Sequence, residues 1–288
     1  MVHIYEKVCK TEDNKYGIRE ITNENSILNG PCIITILAMP TFLKNINGSL
    51  RQVANLVNPD IDTNYDPDRR ILGLGFGDYN EKYCRFSRNS PLEEELEEFL
   101  NKYFYPLFIE NNEKIDVLQA MKNFRNVTFL TFCNGAETFK KIEYKLKDKM
   151  KEIGYTASDI ETILSQVCLA AISGKYIKIH GTSALCFSFG DVNDIDYEGN
   201  KEIINSINEM GQGYITYDSV IGYAIADDGN HSLKKHMIGD EKLSSGIKTF
   251  LNTSLDNAIE NKNNKIINPI TYEKMDRAFS ELDNAKTL

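Results

Sequence analysis

A thiol, a pair of carboxylates and an imidazole stand where alternating strands and helices could bring them together, and the thiol is the most informative of them. Asn126 to Phe139 reads NVTFLTFCNGAETF: an unbroken apolar and β-branched run from Val127 to Phe132, a short turn, then helical spacing from Ala136. The run has the character of a strand buried on both faces of a parallel sheet. In Thr131-Phe132-Cys133-Asn134-Gly135, small residues flank the turn two positions either side of Cys133, which lets a strained backbone push one side chain clear of the sheet. Asp191 and Asp194 follow a second apolar run, Ala184 to Phe189, and His231 follows a third, Val220 to Ala226. A thiol beside an imidazole can attack a carbonyl, with the imidazole taking the proton and a carboxylate orienting the ring. Each residue also has a plainer reading. Cys133 could be an inert core thiol, the two aspartates turn formers or helix caps, and His231 an ordinary loop histidine after Asp227-Asp228-Gly229-Asn230. His180 and His236 read as structural.

The remaining elements must position these groups. Residues 3–9 and 16–21 read as short leading strands around a polar turn, able to form an antiparallel edge. Pro31 to Met39 is a continuous apolar run, followed by a loop at Pro40 and a helix from Ser49 to Val57, together a β–α unit. Arg70 to Phe76 gives a third strand, and Pro91 opens a helix whose acidic block, Glu93 to Glu98, suits the positive end of the helix dipole. A helix near Ile115 to Phe124 leads into the Cys133 strand. Ala136 to Ile153 and Ala157 to Ile172 read as two consecutive helices, either sheet cover or part of a lid. Tyr176 to Phe189 holds two apolar runs too close for a crossover, hence a hairpin or one bent strand. Glu202 to Met210, Leu243 to Ile259 and Tyr272 to Leu282 read as helices. The sum is one α/β domain over residues 1–288, with a mostly parallel sheet and helices on both faces. In such a sheet, sites gather beyond the carboxyl ends of the strands.

Composition narrows the function classes. The 288 residues, 41% hydrophobic, can bury a substantial core, and a net charge of −9 with both signs interspersed argues against a broad phosphate-binding face. Nucleic acid is not an expected partner. MVHIYEKVCK lacks an apolar signal core, and no run approaches the roughly 18 apolar residues of a membrane span; the expected location is the cytoplasm. Six cysteines without a CxxC pair, mostly within apolar runs, read as free thiols, with neither disulfides nor a zinc site expected. Gly73-Leu74-Gly75-Phe76-Gly77-Asp78 lacks the third glycine of a dinucleotide loop and opens no helix. No metal or cofactor is expected.

The order thiol, acid, histidine, each after a strand, resembles the α/β hydrolases. LTFCNGAET is similar to that family's nucleophile turn, FSFGDVNDIDYEGNKEIINSI to its acid turn and following helix, and YAIADDGNHSLKKHM to its final strand and histidine loop. The likeness spans about residues 30–255. Thr131 stands where glycine is usual and cysteine where serine is usual, as in the dienelactone hydrolases. No His-Gly follows Pro31 to Ala38, and the two consecutive helices leave one β–α unit fewer between Cys133 and Asp194. The resemblance implies Cys133 as nucleophile, His231 as general base and Asp194, or else Asp191, as the orienting acid. An oxyanion hole would come from the N–H of Asn134 and one from the loop near Met39 or Thr41. The implied activity is hydrolysis or acyl transfer on an ester, thioester or other acyl substrate. The competing expectation is a non-catalytic relative that keeps the fold as a binding module.

Overall fold

The computed structural model describes residues 1–15, 17–22, 30–37, 43–80, 82, 85–88, 90–172, 184–191, 214–217, 220–225, 241–262, 274–275 and 277–278. Runs of apolar residues become strands wherever both of their faces can be covered. In β3 (Cys32–Leu37), β8 (Val127–Phe132) and β9 (Cys168–Ile172) every residue is buried, as central parallel strands require. With β1 (Val2–Lys7), β2 (Ile18–Glu20), β4 (Arg70–Asn80), β5 (Arg85–Arg88), β10 (Leu185–Asp191), β11 (Tyr214–Tyr217) and β12 (Val220–Ile225) they form a ten-stranded sheet. Its order is β11-β12-β10-β9-β8-β3-β4-β1-β2, with β5 added on β4. The six strands from β12 to β4 run parallel, while β1, β5 and β11 run antiparallel to their neighbours. The sheet is therefore mixed, with a parallel centre. The two-residue strands β6 (Ile109–Glu110) and β7 (Glu113–Lys114) pair separately.

Helices cover both faces. On one lie α2 (Glu93–Tyr103), α3 (Val117–Arg125), α4 (Gly135–Glu152) and α5 (Ala157–Leu164), which bury Phe99, Phe124, Phe139 and Ile163 against Ile34, Phe129 and Leu169. On the other lie α1 (Leu43–Val57) and α6 (Glu241–Lys262), which bury Leu50, Val53, Phe250 and Leu255 against Ile33, Leu130 and Ala170. Thr128 and Ser254 share a 2.5 Å hydrogen bond that fixes α6 to β8. Among the described residues no helix is long and apolar enough to cross a membrane.

Several boundaries move from the sequence reading. The expected helix from Ala157 to Ile172 stops at Leu164, and CLAAI becomes β9 between β8 and β10. A five-residue apolar run carries no period that separates strand from helix, and the sheet decides. Helix α1 begins at Leu43 rather than Ser49, α2 at Glu93 just after Pro91, and β4 runs on to Asn80 instead of ending at Phe76. The leading strands do form an antiparallel edge. Met39, Asp194, His180, His231 and His236 lie outside the described residues, as do the expected helix at 202–210 and the run 176–180.

At the rim where β1 ends and β4 begins, the sheet is tied by buried charge. Glu6, 0% exposed, accepts hydrogen bonds from Arg70 Nε at 2.7 Å, Tyr65 at 2.7 Å and Arg19 Nη2 at 2.6 Å. Lys7, also wholly buried, donates to Asp62 at 2.6 Å and to the carbonyl oxygens of Val8 and Gly17. Burial pushes the Glu6 carboxyl up, but the bonds from Arg70, Tyr65 and Arg19 outweigh it and hold its pKa below the usual value. The stability this carboxylate contributes is therefore present above the unfolded carboxyl pKa and is lost as pH falls through the lower folded one. Glu6→Gln, which leaves Arg70 buried without its counter-ion, is expected to cost about 3–5 kcal/mol in denaturant unfolding at neutral pH. The gap between wild type and variant should close as the solution is acidified below the ordinary carboxylate range; a gap independent of pH would contradict the assignment.

Candidate functional site

The strand ends form a common rim because the register is continuous across five strands. Phe132 of β8 faces Leu37 of β3 and Ile172 of β9, Ile172 faces Phe189 of β10, and Phe189 faces Tyr223 of β12. Cys133 is the first residue beyond this line. Asp191 closes β10, level with Ile225 at the end of β12. The line of β10 lies two strand spacings from that of β8, about 10 Å. The structure thus brings Cys133 and the backbone of Asp191 to one rim. Asn134 follows Cys133 there, while Met39, Asp194 and His231 are not among the described residues.

Local sequence forces the shape of the turn. Helix α4 starts at Gly135, and a Cβ there would lie 2.3 Å from the carbonyl oxygen of Ile36 in β3. Only glycine allows the helix to seat so closely. Two residues separate strand from helix; Asn134 already has helical backbone angles, so the reversal falls on Cys133, which takes a left-handed φ of 55°. For a residue with a Cβ this conformation costs on the order of 1–3 kcal/mol, and it persists only where the surroundings enforce it. They do so here through three backbone bonds. Cys133 N–H donates to Ile172 O at 3.0 Å, Ala136 N–H to Cys133 O at 3.3 Å, and Glu137 N–H to Asn134 O at 3.0 Å.

The resulting side chain is half-buried, packed on the core shared by α1 and α6. Asn134 is exposed and caps α4 without a side-chain hydrogen bond. The first N–H groups of a helix have no intrahelical acceptor and carry the positive end of its dipole. Those of Ala136 and Glu137 are already bonded to Cys133 O and Asn134 O, and a negative charge developing beside Cys133 would be favoured by the positive end of the helix dipole. The other central thiols are of a different kind. Cys32 and Cys168 are fully buried, and burial pushes their pKa up to about 12 and about 11. Cys9, Cys32, Cys133 and Cys168 are all free. Among the described residues no group of His, Cys, Asp and Glu could hold a metal ion.

Two features of the turn escaped the sequence reading. The contact between Gly135 and Ile36 joins residues far apart in the chain, and the only sign of it was the glycine itself. Thr131, two residues before Cys133, is 0% exposed and its hydroxyl has no hydrogen-bond partner. A scan against protein-family models finds no match, and a search of curated proteins finds no relative. Gly135→Ala should destabilise the fold by about 1–3 kcal/mol, because the helix must lift off β3. Thr131→Val removes a buried hydroxyl that lacks a partner and should raise stability by about 1 kcal/mol in denaturant unfolding. A loss of stability in Thr131→Val would mean that the hydroxyl is bonded.

Proposed function

We propose that this chain is an α/β-hydrolase-like enzyme that works through an acyl-Cys133 intermediate on an ester, thioester or other acyl substrate. The observation that carries the reading is the left-handed Cys133 between a buried parallel strand and a helix N-terminus. The strand order adds support. β9 supplies the strand between the thiol and the acid that the sequence pattern lacked, so the thiol follows β8, Asp191 ends β10, and residue 231 comes after β12 in the chain. In the sequence the thiol, the acid and the histidine each follow one of these strands, in the order expected of the family.

In this reading the Cys133 sulfur attacks the acyl carbon while His231 takes the thiol proton. The carbonyl oxygen becomes an oxyanion held by the N–H of Asn134 and by one from the loop after β3, near Met39. When the carbonyl re-forms, the bond to the leaving oxygen or sulfur breaks and His231 returns the proton to it. Water, deprotonated by the same imidazole, then cleaves the thioester and restores the thiol. Asp194, or Asp191 at the end of β10, orients the ring and stabilises its charged form.

Short-chain nitrophenyl esters and thioesters are expected to turn over, Cys133→Ala to abolish turnover, and His231→Ala to lower kcat by roughly three orders of magnitude or more. Iodoacetamide should label Cys133 while Cys32 and Cys168 stay unmodified in the folded chain. Absence of turnover across an acyl panel, or turnover that survives Cys133→Ala, would sink the assignment.

A further inference from the structure

We draw no further inference here: the strongest candidate, the groove between α2 and α4 lined by Glu93, Glu97, Lys141, Lys145, Lys149 and Glu152, carries nothing because these lysines and carboxylates pair with one another and nothing in the structure shows what covers it.

Discussion

The seating of α4 on β3, with Gly135 against the Ile36 carbonyl, is the constraint on which the rest depends. Because the helix begins so close to the sheet, the chain must turn within Cys133, and the left-handed backbone follows. The strain does not relax because β8 is clamped from every side. β3 and β9 pair with it along its length, α4 packs over it on one face, and α6 is bonded to it through Thr128 and Ser254 on the other. A turn of high energy is maintained by many contacts of low energy around it.

The two rims of the sheet divide the work. At one, where β1 ends and β4 begins, Glu6, Arg70, Arg19 and Tyr65 satisfy one another, and Lys7 is enclosed by Asp62 and two carbonyl groups. Each charge in this cluster has a partner, and the cluster holds the edge strands together. At the other rim stand the strained thiol, a helix start without a side-chain cap bond and the bent β4–β5 hairpin. Removing a partner at the first rim weakens the fold, whereas at the second the left-handed Cys133 is held in place by the backbone around it. That separation is what a site carried on a rigid scaffold requires.

How much of this was legible in the chain depended on the kind of contact involved. β3 and β8 were plain because burial on two faces demands an unbroken apolar run, and the Cys133 turn was plain because its small neighbours adjoin it in sequence. CLAAI was misread as the end of a helix, since a short apolar run fits either element and only its place between β8 and β10 settles the matter. The extension of β4 to Asn80 was missed because its polar end is stabilised by β5, not by apolar burial of its own. Nothing in HIYEKVC marks Glu6 and Lys7 as buried; their partners come from residues 19, 62, 65 and 70. Likewise Phe86 finds Gly75 only after the β4–β5 hairpin bends. Met39, Asp194 and His231 come after β3, β10 and β12 in the chain, strands whose carboxyl ends share one rim.

The central claim is that the Cys133 sulfur forms a covalent bond with an acyl group at that rim. The most direct measurement is rapid quench of the intact chain with nitrophenyl acetate, followed by mass mapping of the acetylated peptide. One acetyl group is expected on Cys133, formed within the first turnover, lost as free acetate appears, and longer-lived when His231 is replaced by alanine. An acetyl group found on other residues, or none while nitrophenolate is still released, would contradict it.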